Sequence, residues 1–112
     1  MKVIPIEVRV QSMVCELLED TKARLEEIVE WLTEEAKKDR AQMEEERKSE
    51  YGNPVMYQGF IDSHLELIAH HQKGIVSIDS FIIQAKELEQ KLANFWEEQD
   101  KARDERKRRQ DR

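Results

Sequence analysis

The sequence predicts an all-α protein, an antiparallel helical hairpin in which two long helices pair as a coiled coil. Two features predict this fold: a seven-residue repeat of isoleucine in the second half of the chain, and a turn signal near its middle, Tyr51-Gly52-Asn53-Pro54. The composition agrees, because 39% of the residues are charged and 38% are apolar, with only 3 Gly and 2 Pro. This balance is typical of long solvated helices and leaves too few turn residues for a multi-stranded sheet.

Helix one is predicted from about residue 6 to about residue 50. It begins after Pro5, a residue type that is tolerated in or just before the first helical turn. Apolar residues then recur at steps of three and four, and Val14, Leu25 and Ala36 are eleven residues apart, a spacing that drifts little around a straight helix. The side chains of helix one that are predicted to contact helix two are Val14, Leu18, Leu25, Ile28 and Leu32.

The turn is predicted at residues 51–54. Gly52 is expected to take the left-handed conformation that ends many helices, and Pro54 biases Asn53 away from the helical region. Because proline is also favoured at the first position of a helix, helix two is predicted from about residue 55 to about residue 108. Residues 1–112 then form a single helical domain.

Helix two carries the clearest repeat of the chain. Ile61, Ile68, Ile75 and Ile82 are seven residues apart and occupy one position of a heptad. With the second apolar position of the same heptad, they define the predicted contact with helix one. The residues in this contact are Ile61, His64, Ile68, His71, Ile75, Ile78, Ile82, Leu92 and Trp96.

A second apolar row runs beside this heptad on helix two, so the apolar stripe is wider than a strict coiled-coil seam. Its members are Phe60, Leu67, Phe81, Leu88 and Phe95. Two helices alone would leave part of such a stripe uncovered. Self-association into a four-helix bundle is therefore expected as an extension of the hairpin.

Few residues suggest chemistry, and no catalytic residue, cofactor or metal site is predicted. His64 and His71 lie one heptad apart, about 10 Å along the helix axis, which is too far to share one metal ion. They are predicted as interface histidines, with a pH-responsive or metal-responsive bundle as an alternative. Cys15 has acidic neighbours, whereas a reactive thiol needs a positive local field, so it is predicted as a small, partly buried spacer. An enzyme is not expected.

The charge distribution bears on partners and location. The formal net charge is −6, but residues 101–112 carry 7 basic and 3 acidic side chains. This basic end could attract an acidic protein surface or, less favoured, nucleic acid, although it has no aromatic residue for base stacking. No apolar run suggests a membrane span or a signal peptide, and a cytoplasmic protein is expected. The candidate partner contacts are Trp31, Arg106, Lys107, Arg108 and Arg109.

One family comparison arises from the second half of the chain. Tyr57-Gln58-Gly59-Phe60-Ile61, followed by Ile68, His70/His71, Ala93, Trp96-Glu97 and Asp111-Arg112, resembles a succession in FliJ/YscO-type proteins. In that family the succession is Tyr-Gln-x-Phe-Ile, an aliphatic residue, His, Trp-x-Glu and Asp-Arg. These proteins are coiled-coil stalk components of flagellar and type III export ATPases. The resemblance implies a hairpin whose tip engages an ATPase ring and whose surface holds export chaperones, without a catalytic residue.

The sequence thus favours a non-enzymatic coiled-coil adaptor or stalk that works through protein contacts. The resemblance implies that it does so in an export-ATPase assembly. A small helical regulator that binds nucleic acid through the basic end is the competing hypothesis. A bundle that responds to pH or metal through His64 and His71 is the third.

Overall fold

The structure is a computed structural model that describes residues 4–111. It contains two α-helices, α1 at Ile6–Lys48 and α2 at Pro54–Gln110, joined by a loop at residues 49–53, and the described residues include no strand. The helices run antiparallel, so the predicted all-α helical hairpin is confirmed. Helix α1 begins at the predicted residue, and the other helix ends lie within two residues of their predicted positions.

The contacts between the helices divide the hairpin into two compact parts. We call residues 20–79 the loop half, and residues 4–19 together with 80–111 the terminal half. Each half contains a segment of α1 and a segment of α2, and each is described by itself below.

The loop is closed by side chains that satisfy free backbone groups. The backbone N–H of Asn53 donates to the Glu46 carboxylate at 3.1 Å. The side-chain oxygen of Asn53 accepts a hydrogen bond from the Met56 N–H at 3.3 Å, which caps the first turn of α2. Pro54 is the first residue of α2, where its missing N–H leaves no hydrogen bond unmade.

The expected left-handed conformation of Gly52 is wrong, because no described residue has a positive φ. Glycine is required here by space instead. A Cβ atom on Gly52 would overlap the backbone carbonyl group of Glu46, two residues before the end of α1. The chain therefore passes so close to the end of α1 that only a residue without a side chain fits.

The seam of α1 follows a seven-residue repeat, and the eleven-residue spacing predicted for it is wrong. Val14 and Ile28, predicted to contact α2, are 38% and 40% exposed, whereas Cys15 and Val29 beside them lie in the seam. The α1 residues at buried or half-buried seam positions are Cys15, Leu18, Lys22, Leu25, Val29, Leu32, Ala36, Asp39 and Met43. The physical reason is that α2 repeats every seven residues, and only a row with the same period stays in contact with it.

The seam of α2 lies on the predicted heptad positions. Ile61 and Ile82 are buried, and the other predicted contact residues are half-buried. Those half-buried residues are His64, Ile68, His71, Ile75, Ile78, Leu92 and Trp96. The second apolar row of α2 lies outside the seam, because its five members are between 45% and 56% exposed: Phe60, Leu67, Phe81, Leu88 and Phe95.

The three glycines give a test of this packing. Gly59→Ala and Gly74→Ala should each raise the free energy of unfolding by roughly 0.5–1 kcal/mol, because alanine favours helix over glycine. A Cβ at Gly59 meets no atom within 4 Å, and one at Gly74 would lie 3.7 Å from Leu25 Cδ1, an ordinary contact. Urea unfolding followed by circular dichroism measures both changes.

Gly52→Ala is the matched variant with the opposite expectation, since its Cβ would overlap the Glu46 carbonyl group. It should lower the free energy of unfolding. Equal stability of wild type and Gly52→Ala would contradict the close approach of the loop to α1.

Candidate functional site

Polar contacts between the helices set their register in each half. In the terminal half, the Gln11 side-chain amide donates to the Ala85 carbonyl oxygen at 2.9 Å, and the Lys86 ammonium lies 2.7 Å from the Glu19 carboxylate. The hydrogen bond to Glu19 is the main cause of a raised pKa of Lys86. These contacts join specific residues of α1 and α2, so a shifted pairing of the helices would leave them unmade.

The loop half has two such contacts. The Lys22 ammonium lies 2.6 Å from the Asp79 carboxylate, and the hydrogen bond between them raises the pKa of Lys22. The second contact joins His64 to Asp39, with Nδ1 and Oδ2 2.9 Å apart. Both of these atoms are buried, and neither forms a hydrogen bond among the described residues, so this ion-pair contact is the polar contact that each of them has there. Two buried polar atoms therefore depend on this one contact inside a seam that is mostly apolar.

Sequence reasoning placed His64 in the seam but missed Asp39 as its partner. The missing signal was the register of α1. Asp39 follows Ala36 by three residues and precedes Met43 by four, so a seven-residue repeat places it in the seam, whereas the eleven-residue spacing did not.

Double substitution tests the mutual dependence of His64 and Asp39. Asp39→Leu or His64→Leu alone should lower the free energy of unfolding by about 1–3 kcal/mol, because each leaves one buried polar atom without a partner. The double variant Asp39→Leu/His64→Leu should recover much of that loss, since it removes both polar groups. Denaturant unfolding of the four proteins gives the coupling energy. Losses that simply add in the double variant would argue against the contact.

The second heptad histidine does not join this pair. The Nδ1 atom of His71 lies 2.7 Å from the carbonyl oxygen of Leu67, one turn earlier on the same helix. Within residues 4–111 no group of three or more His, Cys, Asp or Glu side chains is placed to hold a metal ion. The His64 and Asp39 contact is thus a pair of groups and not a metal-binding cluster.

Cys15 is buried in the terminal half. Burial is the largest cause that raises the pKa of its thiol, followed by the nearby carboxylates of Glu89 and Glu19, while Lys86 opposes them. A nucleophilic cysteine needs the reverse, a lowered pKa and access to solvent. The geometry fits a small seam residue.

The raised pKa of Cys15 predicts a loss of stability at high pH. The protonated thiol contributes its full stabilisation below its ordinary pKa of 9.0, and this contribution is lost as pH rises through the raised value in the folded state. The free energy of unfolding of the wild type should therefore fall more between about pH 7 and about pH 10 than that of Cys15→Ala. Lys22 and Lys86 are present in both proteins, so their effects cancel except for the interaction of Lys86 with the Cys15 thiolate, which is a lesser cause of the raised pKa of Lys86. Parallel pH profiles of the two proteins would exclude the effect.

Trp31 is 60% exposed, although Leu32 beside it is 3% exposed. The indole therefore does not cover the seam, and it is available for contact with another molecule. Large aromatic side chains of this kind are enriched at the energetic centres of protein interfaces.

A second exposed apolar group lies at the loop, and the sequence analysis did not single it out. Tyr51 is 92% exposed and Val55 is 77% exposed, with Met56 also exposed. We call these three residues the loop patch. Their position in the sequence could have indicated this exposure, because all three lie at or next to the turn, where no helix face covers them.

The basic end of α2 remains helical to Gln110. Its earlier turns contain ion pairs of Lys101 with Glu97 and of Arg103 with Asp100. The four predicted contact residues of this end are exposed, and none of them forms an ion pair with another described residue: Arg106, Lys107, Arg108 and Arg109. Their charges are free to meet an acidic or phosphate-bearing partner.

Trp96 has a structural setting in the terminal half. It packs edge-on against Phe95 with ring centroids 5.4 Å apart, and it lines a shallow groove of about 260 Å³ with Pro5 and Val8. The ring thus lies beside the start of α1.

Comparisons with models of known families, with curated proteins and with solved structures find no match to this chain. No helix in the described chain has the length and apolar character that crossing a membrane requires.

Proposed function

We propose that this chain is a non-enzymatic coiled-coil adaptor or stalk protein that acts through protein–protein contacts. The observation that supports this most is the exposure of Trp31, a residue type that proteins usually bury at least in part. The loop patch adds Tyr51 and Val55, which are exposed even further. Aromatic anchors on a helical scaffold are what a docking surface requires.

The mechanism is geometric. The seam and the polar contacts of the loop half, Lys22 with Asp79 and His64 with Asp39, hold α1 and α2 in one register. A partner then meets Trp31 and the loop patch on helices that are already ordered. Little conformational entropy is lost on binding, which favours affinity.

An export-ATPase assembly is the specific setting that the residue succession of α2 suggests. In that setting the loop of the hairpin is the end that would engage the ATPase ring. Tyr51, Val55 and Met56 are the side chains that the chain offers there. Protein transport and a cytoplasmic location belong to this same hypothesis.

A nucleic-acid-associated regulator is the second candidate, and one observation favours it. Arg106, Lys107, Arg108 and Arg109 are exposed on a helix without ion pairs among the described residues. Asp104, Glu105 and Asp111 reduce the field of this end, so protein contact is favoured. The bundle that responds to pH is the third candidate, and the buried contact of His64 with Asp39 is the observation that supports it.

Affinity capture from the source cell tests the adaptor proposal. Tagged wild type should retain a specific protein, and Trp31→Ala or Tyr51→Ala should weaken its capture about tenfold or more, the effect of losing a contact worth at least about 1.4 kcal/mol. Val76→Ala is the matched control. Val76 is also an exposed apolar residue of the loop half, but it is neither next to Trp31 in the sequence nor part of the loop patch.

Circular dichroism should show that all the variants remain helical. Equal capture by wild type and both aromatic variants would refute the proposed surface. Capture of nucleic acid that survives moderate salt and is lost on replacing Arg106 to Arg109 with alanine would favour the regulator instead.

A further inference from the structure

A face of the terminal half is apolar and uncovered. Five large apolar side chains on it are between 38% and 56% exposed. We call them the terminal apolar face: Val10 and Val14 of α1, and Phe81, Leu88 and Phe95 of α2. Scattered exposed apolar residues are ordinary, but a row that repeats along two neighbouring helix segments is typical of an interaction surface.

Heptad positions place these side chains on one side of the seam. Val14 precedes the seam residue Cys15, just as Phe81 precedes Ile82. Because the helices run in opposite directions, residues that precede these equivalent seam positions lie on the same side of both helices. The Glu19 and Lys86 ion pair lies on the opposite side of the seam.

The spacing of the face identifies what kind of partner fits it. Phe81, Leu88 and Phe95 are seven residues apart, and Val10 and Val14 are four residues apart on α1. A partner must therefore offer helices with the same period, because any other spacing leaves the surface after a few turns. The chain itself carries such a surface.

We propose that the terminal apolar face joins two copies of this chain in a two-fold symmetric four-helix bundle. A two-fold rotation about an axis along the helices brings α1 of one copy onto α2 of the other. The branched side chains Val10 and Val14 then pack against the larger Leu88 and Phe95 of the partner copy, which lie at the same height along the bundle. One surface that meets itself gives a closed dimer.

Charge does not oppose this contact. The side chains that border the face on α2 are Gln84, Lys91 and Glu98, and Glu7 precedes a seam position of α1. Both signs are present, so the two-fold contact does not set a surface of one charge against itself.

The accessible area of the chain leaves room for such a contact, as it does in any hairpin of two long helices. The chain exposes 9198 Å² for a mass of 13.4 kDa. A compact monomer of this mass would expose about 6,500 Å², so the excess is about 2,700 Å². A stable dimer of standard size buries about 800 Å² on each partner, well within that excess.

Sedimentation of the full chain over a concentration series tests the proposal. Wild type should sediment as a species of twice 13.4 kDa at micromolar concentration, and Leu88→Gln/Phe95→Gln should weaken association by about a hundredfold or more. Ile83→Gln is the matched control, because Ile83 is an exposed apolar residue of the same helix that lies off the face. It should dimerise like the wild type.

A wild type that stays monomeric at every concentration would overturn the proposal, as would equal association of the face variant and the control. If the glutamine variant loses helix content, the milder Leu88→Ala/Phe95→Ala variant is measured in its place.

The dimer does not depend on the adaptor proposal. A monomeric face variant that still captures a protein through Trp31 would separate the two surfaces, whereas a dimer that captures nothing would leave only the self-contact.

Discussion

The seven-residue repeat of α2 is the constraint on which the rest of the structure depends. Ile61, Ile68, Ile75 and Ile82 form a row that stays on one side of the helix, and α1 must offer a row of equal period to cover it. Buried Leu32 and Ala36 lie in that row on α1. Burying these apolar side chains drives the pairing of the helices, because no helix of this length keeps such a stripe in water.

Polar residues in and beside the seam add specificity to this apolar pairing. A seam of similar aliphatic side chains could slide by a heptad at little cost, whereas the His64 and Asp39 contact forms in one register. In any other register these two buried polar atoms would lose their contact, which raises the free energy of that pairing. The Lys22 and Asp79 pair and the Gln11 hydrogen bond act in the same direction at less buried positions. These polar contacts favour one helix register because they are lost in every other register, and not because each contact adds a large stabilising free energy.

The two halves of the hairpin expose different surfaces outside the seam, and we propose a different partner for each. The loop half exposes Trp31 and the loop patch, which suit contact with a different protein. The terminal half exposes a repeating apolar face, which suits a second copy. Both proposals rest on one physical fact: the chain contains more apolar surface at helical spacing than two helices can cover.

The sequence by itself determined that the chain folds as two antiparallel helices and where they begin and end. Pro5, the turn at residues 51–54 and the isoleucine repeat act locally, so they can be recognised without knowledge of the rest of the chain. Only the tertiary structure decided which apolar row of α1 meets α2. Val14 and Cys15 are neighbours at the edge of one stripe, and rotating α1 by one residue exchanges them. That choice depends on the period of the opposite helix and on contacts such as Asp39 with His64, which join residues far apart in the chain and leave no local signal.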